Sequence, residues 1–283
     1  MTFKNILFIS KRNPASLPYI KEICEVLKSK GYAYFCNEER KRFFDGLDLT
    51  PIPENDLKRI DLAVIFGGDG SILKAAKYLV LNHIPIFGVN MGTVGYLPVA
   101  EPENALKELL KILNGDYVAE KRTVLSVESL TKRFIAINEA VVYRGTLGHI
   151  LTLQVKVDGT ETETVRADGI IVATPTGSTA YNLSAGGPIV APRSGVIIIT
   201  PICAHSLSVR PIIVSDNATI EVIASDFRSD DEKPSLDVDG RSVAFIPENG
   251  KITVTAAKTP LTLLTTRPRN FFRVLKTKLS QKD

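Results

Sequence analysis

The hydrophobic pattern of the chain changes period near residue 117, and no other sequence feature constrains the fold as strongly. Before this point, apolar runs at residues 5–10 (NILFIS), 61–66 (DLAVIF) and 85–90 (PIFGVN) alternate with stretches of helical spacing. Strands that are apolar on both faces and alternate with helices form a parallel sheet that is covered on both sides. We therefore predict an α/β domain with a parallel sheet over residues 1–116.

After residue 117 the apolar runs become short and β-branched, with turn residues between them. Residues 151–157 (LTLQVKV) alternate between apolar and polar side chains and are followed by the turn signal Asp158-Gly159. This pattern predicts an antiparallel β domain resembling a sandwich over residues 117–258.

The carboxy-terminal segment, residues 259–283, ends in a basic amphipathic stretch. Its last part, RPRNFFRVLKTKLSQK, has six basic residues and no acid, and Phe271, Leu275 and Leu279 share one helical face. Such a helix can bind a membrane or a nucleic acid. The alternative, which we favour, is that it packs its apolar side on its own domain and leaves its charges in water.

Composition excludes several classes of protein. The three cysteines are widely separated and form no CxxC pair, which argues against a secreted disulfide scaffold and favours a reducing cytoplasm. No apolar run approaches the roughly 18 residues that cross a bilayer. The first apolar run continues directly into Lys11 and Arg12, which is typical of a first strand and not of a signal peptide.

A net charge of +4 is too small to require nucleic acid. We expect a cytoplasmic protein without a membrane or nucleic-acid partner.

The motif GGDGS at residues 67–71 lies between a predicted strand and a predicted helix. Glycines at the carboxyl end of a parallel strand let the backbone approach a ligand, and N–H groups at the following helix start bind anions. A carboxylate at this place, Asp69, is suited to accept a proton from a hydroxyl that attacks phosphorus. The alternative is a turn that caps the helix. A P-loop and a GxGxxG motif are both absent from the sequence.

Two further segments have the chemistry of a nucleotide site. Residues 167–192 are rich in hydroxyls and glycines, which favours a phosphate or ribose cradle with Tyr181 against a base, although an ordinary polar loop is the alternative. Asn138 and Glu139 interrupt an apolar strand, so they either bind a ligand such as a ribose diol or mark a strand end in water. Arg166 and Asp168 flank the start of the hydroxyl-rich segment and are also explained by a surface ion pair.

Taken together, GGDGS, NMGTVGYL, INEAVVYR and RADGIIVATPTGSTAYNLSAGGPIV resemble the NAD kinase family, in the same order along the chain. GGDG alone is shared with diacylglycerol, sphingosine and phosphofructokinase relatives, whereas its combination with NE and TPTGSTAY is specific. The resemblance implies a Rossmann-like α/β domain, a β-sandwich-like NAD-binding domain and a last segment that packs back on the first domain. It implies phosphorylation of the 2′-hydroxyl of the adenosine ribose of NAD by ATP, another nucleoside triphosphate or polyphosphate, giving NADP.

The resemblance also implies roles for individual residues, drawn from both halves of the chain. Asp69 is the implied catalytic carboxylate, Gly70 lies against the dinucleotide, and Asn138 and Glu139 contact its adenosine and ribose. The nucleotide pocket, the nicotinamide end and the remaining substrate contacts are assigned to Lys74, His149, Arg166, Asp168, Thr179, Ala180, Tyr181, Asn182, Leu183, Ser184 and Arg241. Three positions depart from the family pattern, namely Ser71 for Thr, Tyr96 for Phe and Arg241 for Gln.

The expected cofactor is Mg²⁺ or another divalent cation that accompanies the phosphoryl donor, with no dedicated metal-binding residue. The expected partners are NAD, ATP or another donor, and further copies of the chain in a homodimer or homotetramer. Two alternative functions stay open from the sequence: a lipid kinase that shares GGDG, and a non-catalytic dinucleotide-binding regulator.

Overall fold

A computed structural model describes residues 3–92, 95–129, 132–144, 150–225, 233–268 and 270–280. The chain divides into two compact units. The first unit comprises Met1–Lys121 and Leu261–Asp283, and the second comprises Arg122–Pro260.

The helices and strands are named in chain order. The strands are β1 Asn5–Ser10, β2 Ala33–Asn37, β3 Thr50–Ile52, β4 Leu62–Phe66, β5 Ile86–Val89, β6 Val118–Arg122, β7 Leu125–Ser129, β8 Lys132–Ala136, β9 Glu139–Tyr143, β10 Leu151–Val157, β11 Thr160–Ala167, β12 Gly169–Ala173, β13 Val196–Ile202, β14 Ile212–Ser215, β15 Ile220–Ser225, β16 Ser235–Val238, β17 Arg241–Phe245, β18 Gly250–Ala256 and β19 Leu261–Thr265. The α-helices are α1 Leu17–Ser29, α2 Asp69–Leu81, α3 Ala105–Leu113, α4 Tyr181–Ser184 and α5 Phe271–Ser280. Short 3-10 helices cover Pro14–Ser16, Glu38–Phe44, Glu54–Arg59, Pro102–Asn104 and Gly177–Thr179.

The first unit is built around a mostly parallel sheet with strand order β3-β2-β1-β4-β5-β19-β6. All five residues of β4 are buried, as expected for an inner strand covered by helices on both faces. Helix α1 buries Ile20, Ile23, Cys24 and Leu27, a spacing that places them on one helical face. The predicted α/β domain is confirmed.

The second unit is an antiparallel β-sandwich of two six-stranded sheets. Their strand orders are β11-β10-β15-β18-β7-β8 and β14-β13-β12-β9-β16-β17. The inner faces form one core that includes Leu153, Val172 and Val254. The second sheet is also buried on its other face, where Val141 and Ile171 pack against Val190 of the segment after β12. This segment is the hydroxyl-rich stretch of the sequence, so the sheet places it over β9 and β12.

The carboxy-terminal segment returns to the first unit, as the fold prediction stated. Strand β19 enters the sheet beside β5, with Leu263 opposite Ile86. Helix α5 follows, but the expected apolar face is only partly used. Phe271 contacts Tyr96 at a ring-centre distance of 6.0 Å, whereas Leu279 is 61% exposed.

None of the helices in the described part of the chain is long and apolar enough to span a bilayer.

Candidate functional site

Asp69 is the first residue of α2 and follows the buried strand β4 after a two-glycine turn. The unpaired N–H groups of a helix start favour a negative charge in the first turn. Gly70 and Lys74, on the same helix, are exposed. The first unit therefore presents a carboxylate at a helix start after β4, and an exposed lysine on the same helix.

The carboxylate of Asp69 is held by the backbone of a neighbouring loop. The N–H of Tyr96 donates to Oδ2 at 2.9 Å, and the N–H of Leu97 donates to Oδ1 at 2.8 Å. This approach requires glycine at residue 95, because a Cβ there would lie 2.5 Å from Oδ1 of Asp69. Each carboxylate oxygen has two lone pairs, so both oxygens keep the capacity to accept a further hydrogen bond.

A lysine of the carboxy-terminal helix also faces this carboxylate. The ammonium of Lys278 lies 3.9 Å from Oδ2 of Asp69 and 5.2 Å from the centre of the Tyr96 ring. The expectation that all charges of this helix are solvated is therefore wrong for Lys278. It is wrong because the helix packs Phe271 on Tyr96 and thereby brings its last turn to Asp69.

In the second unit, the turn that carries Asn138 and Glu139 is fixed by Asp239. The Asp239 carboxylate accepts hydrogen bonds from the backbone N–H groups of residues 137, 138 and 139 at 2.8 to 3.3 Å. Asp239 has a φ of 46° and Gly240 a φ of 71°, a conformation typical of a tight hairpin turn. The β16–β17 hairpin thus positions the start of β9.

Glu139 is a buried carboxyl group that faces a cavity. Its side chain is 5% exposed, and burial, with a smaller contribution from Asp239, raises its pKa to about 7. The cavity has a volume of about 260 Å³ and is lined by Glu139, Val141, Tyr143, Tyr181, Asp237 and Gly240. A carboxyl group with this pKa both accepts and donates hydrogen bonds near neutral pH.

Tyr181 forms one wall of this cavity and is 42% exposed. Burial, together with nearby Tyr143, Cys203, Asp168 and Asp237, raises the pKa of Tyr181 above its usual value. Its hydroxyl is therefore protonated at neutral pH and its ring is accessible to a ligand.

Asp168 is paired with Arg144. The distance between Arg144 Nη1 and Asp168 Oδ1 is 3.1 Å, and both side chains are largely buried. The N–H of Arg144 also donates to the backbone oxygen of Asp168 at 3.0 Å. The ion pair that the described residues form at Asp168 is therefore with Arg144 and not with Arg166, which lies on β11 with its side chain exposed.

Several polar side chains of the hydroxyl-rich segment support its own conformation. The Thr174 hydroxyl donates to the backbone oxygen of Ile137 at 2.7 Å, and the Ser178 hydroxyl donates to that of Pro175 at 2.6 Å. The fully buried Asn182 amide donates to two backbone oxygens and accepts from the Thr200 hydroxyl at 2.7 Å. The side chains of Thr174, Ser178 and Asn182 thus act inside the protein, so we assign them to supporting the pocket.

The other predicted residues fall into three groups. Four of them are half-buried and stand close along the chain to residues that line the cavity: Asn138, Thr179, Ala180 and Leu183. Ser184 and Arg241 are exposed, and Arg241 begins β17. His149 lies outside the described residues.

Sequence reasoning missed Lys278, Asp237 and Arg144 as neighbours of the predicted residues. Asp237 is the one with a sequence signal, since it is an acidic residue inside the predicted strand SLDVDG.

Within the described ranges, no group of three or more His, Cys, Asp or Glu side chains is arranged to hold a metal ion. Mg²⁺ in nucleotide enzymes is bound through one or two carboxylates together with substrate phosphates. The carboxylate of Asp69, beside the helix N–H groups, fits that mode of binding.

Comparison with known proteins places both halves of the chain in one family. Residues 6–117 match the model of the ATP-NAD kinase N-terminal domain, and residues 137–266 match that of the ATP-NAD kinase C-terminal domain. A NAD kinase of Yersinia pestis is 35% identical over 95% of this chain and 92% of its own length. A NAD kinase of Chlorobium phaeobacteroides is 35% identical over 99% of this chain and 96% of its own length.

Two solved structures have the same fold. A yeast NADH kinase in complex with NADH superposes with a TM-score of 0.87 at 26% identity, covering 100% of this chain and 89% of its own. An NAD kinase from Archaeoglobus fulgidus in complex with ATP superposes with a TM-score of 0.77 at 30% identity, covering 96% of this chain and 99% of its own.

Proposed function

The chain belongs to the NAD kinase family of phosphotransferases, and we propose that it transfers the terminal phosphoryl group of ATP to the 2′-hydroxyl of the adenosine ribose of NAD. The product is NADP. The observation that carries this proposal is the placement of Asp69, a partly exposed carboxylate held by two backbone N–H groups at the start of α2.

Asp69 is proposed as the proton acceptor. The 2′-oxygen forms a bond to the γ-phosphorus, the bond from this phosphorus to the β–γ bridging oxygen breaks, and ADP leaves with the electron pair. The hydroxyl proton passes to a free lone pair of the Asp69 carboxylate. Phosphoryl transfer depends mainly on alignment and on stabilisation of charge. The two N–H groups that hold Asp69 supply the alignment.

The donor phosphates are proposed to lie at the glycine-rich turn before α2. Backbone N–H groups at a helix start bind phosphate oxygens, and a bound divalent cation supplies further neutralisation of their charge. Lys74 and Lys278 are the lysines of this unit that we assign to the same phosphates, because Lys74 lies on α2 and Lys278 faces Asp69.

The nucleoside of the acceptor is proposed to bind in the second unit. Glu139 and Tyr181 line one cavity there. Asp239 orders Asn138 and Glu139 through their backbone. A ribose diol or an amide of the dinucleotide finds a buried carboxyl group and an aromatic ring in this cavity, a combination suited to nucleosides.

Assembly and compartment are part of the same proposal. We expect a homodimer or homotetramer in the cytoplasm, supported by the family resemblance and by the free cysteines of the described residues. Light scattering of the purified protein measures the assembly directly.

The experiment that tests the function incubates the purified protein with NAD⁺, Mg²⁺ and one donor at a time: ATP, another nucleoside triphosphate or polyphosphate. An NADP-specific dehydrogenase then detects the product. We expect NADP with at least one donor. The absence of product with every donor, using NAD⁺ and NADH, would refute the proposal, and phosphorylation of diacylglycerol vesicles in a parallel assay would indicate a lipid kinase.

A further inference from the structure

Two buried carboxylate oxygens in the second unit have no hydrogen-bond partner among the described residues. They are Oε2 of Glu139 and Oδ1 of Asp237. Both residues line the same 260 Å³ cavity. The family resemblance assigns a role to Glu139 and none to Asp237, so the second carboxylate requires its own explanation.

The sheet register places Asp237 on the cavity side. Asp237 lies opposite Val141 in the β16–β9 pair. Side chains alternate between the faces of a strand, and directly opposed residues share a face. Asp237 therefore lies on the same face as Glu139, Val141 and Tyr143. The register of β16 with β17 shifts between Leu236 and Asp237, an irregularity of the kind that redirects a side chain beside a binding site.

The chemistry of the cavity calls for a hydrogen-bond donor. A buried carboxylate oxygen without a partner is costly. The described residues that line the cavity include no lysine, arginine or histidine that would compensate the charge. A ligand with N–H or O–H groups would supply the missing bonds.

The walls of the cavity favour a flat organic ligand over a bare metal ion. Tyr143 and Tyr181 contribute aromatic surface and Val141 contributes apolar surface. Two carboxylates among apolar and aromatic groups fall short of the six oxygen ligands of Mg²⁺. An aromatic wall beside a hydrogen-bond acceptor suits a nucleoside.

We propose that Asp237 is a further substrate-binding residue, whose Oδ1 accepts a hydrogen bond from an uncharged N–H or O–H donor of the acceptor nucleoside lying against Tyr181. This inference rests on the proposed function. The nucleoside offers two donors of this chemistry without using the reacting hydroxyl: the exocyclic amino group of adenine and the 3′-hydroxyl of the ribose.

The test compares three dinucleotides with wild-type protein and with Asp237→Ala. They are NAD⁺, its hypoxanthine analogue without the amino group, and its 3′-deoxyadenosine analogue. Dissociation constants are measured by equilibrium dialysis without a phosphoryl donor, and kcat/KM is measured with ATP and Mg²⁺. A site that accepts a hydrogen bond from a substrate discriminates against the analogue that lacks the donor.

We expect wild-type protein to bind one of the two analogues about 10- to 100-fold more weakly than NAD⁺. Asp237→Ala should bind NAD⁺ as weakly as that analogue, which removes the discrimination. Loss of discrimination against the hypoxanthine analogue identifies the amino group as the donor, and loss against the 3′-deoxy analogue identifies the hydroxyl. Glu128→Ala, which removes an exposed carboxylate paired with Arg133 on the other sheet, should retain the wild-type discrimination.

Unchanged discrimination in Asp237→Ala would overturn the inference. Asp237→Asn preserves the side-chain shape and one acceptor oxygen, so if the alanine variant does not fold, the asparagine variant is compared in the same assays. It should lose about 3- to 10-fold in affinity for NAD⁺, and unchanged affinity would overturn the inference equally. Wild-type protein that binds NAD⁺ but forms no NADP would refute the proposed function alone, because the binding comparison does not depend on turnover.

Discussion

The ammonium of Lys278 lies 3.9 Å from the Asp69 carboxylate, although the two residues stand near opposite ends of the chain. Strand β19 makes this possible by entering the sheet beside β5, after which α5 runs back over Tyr96. The last helix therefore places a positive charge beside the proposed catalytic carboxylate. From the sequence, this basic segment is expected either to bind a membrane or a nucleic acid or to leave its charges in water, and the contact of Lys278 with Asp69 fits neither expectation.

Replacing Asp69 tests the proton acceptor. Asp69→Asn retains the size of the side chain and one acceptor oxygen but removes its negative charge and most of its basicity. We expect kcat to fall about 10³-fold, within the range for loss of a general base, while the dissociation constant for NAD⁺ changes by less than about 3-fold. Steady-state kinetics and equilibrium dialysis measure the two quantities. A variant with near-native kcat would exclude Asp69 from proton transfer.

Replacing Lys278 tests the positive charge beside Asp69. Lys278→Met keeps a flexible apolar chain over Tyr96 but removes the ammonium. We expect kcat to fall about 10-fold, because a positive charge near the transferred phosphoryl group stabilises the transition state. Lys278→Arg should recover part of this loss, and Lys276→Met, which changes an exposed residue of the same helix, should behave as wild type. Equal kcat values for the methionine variants at residues 276 and 278 would contradict the assignment.

Replacing Gly95 tests the contact between Asp69 and the neighbouring loop. In Gly95→Ala the new Cβ would lie 2.5 Å from Oδ1 and 3.0 Å from Cγ of Asp69. The carboxylate or the loop that holds it, including Pro98 at 2.9 Å from the new Cβ, must shift. A displacement of about 1 Å at a reacting group lowers kcat by up to about 100-fold. Gly92→Ala is the matched control in the same loop, since its Cβ would meet nothing within 4 Å. We expect the control to retain kcat, and similar kinetics for both variants would show that the position of Asp69 is not limiting.

The sequence predicts the fold class and the place of Asp69 well, because both depend on local patterns. A run such as LAVIF, followed by GGDG, indicates a buried strand and a ligand-binding turn without further information. Hydroxyl side chains are harder to interpret. Thr174 and Ser178 have the residue type of a phosphate cradle, yet their hydroxyls bond the backbone of their own segment. Residue type alone does not reveal whether a hydroxyl faces a ligand or the interior.

Long-range neighbours account for the features that sequence reasoning missed. Asp237 reaches the cavity through the pairing of β16 with β9, and Lys278 reaches Asp69 through the return of β19 to the first sheet. Neither pairing is encoded in a local pattern. Leu279 fits the helical spacing of a buried face but is exposed. The less exposed residues of α5 are Phe271, Val274, Leu275 and Lys278, so the packed face ends on Lys278 and leaves Leu279 beside it in solvent.

Replacing Asp239 tests whether its hydrogen bonds stabilise the turn at residues 137–139. Asp239→Ala removes the acceptor for three backbone N–H groups, so we expect the free energy of unfolding to fall by about 3 kcal/mol. Asp239→Asn retains one acceptor oxygen and tolerates the positive φ, so its loss should be about 1 kcal/mol.

A second hairpin provides the matched control for Asp239. Asp158 has a φ of 51°, precedes a glycine and accepts one exposed N–H, that of Thr219. Asp158→Ala therefore reproduces the change at a residue of positive φ without the loss of three partly buried hydrogen bonds. Urea unfolding of the four proteins measures the difference. Equal destabilisation by the two alanine variants would assign the effect to the turn alone.

The raised pKa of Glu139 predicts that the stability of the protein depends on pH, and burial of the carboxyl group sets the direction of this dependence. Its pKa is raised from a usual value of 4.5 to about 7 in the folded protein, so between these values the folded state binds more protons than the unfolded state. The contribution of Glu139 to the free energy of unfolding therefore falls as the pH rises from about 4.5 to about 7, and it is constant above this range. Glu139→Gln lacks the titration, and its free energy of unfolding relative to wild type should rise by up to about 3 kcal/mol between about pH 4 and about pH 8. Urea unfolding of both proteins across this range measures the difference, and a difference independent of pH would show that the pKa of Glu139 is not raised.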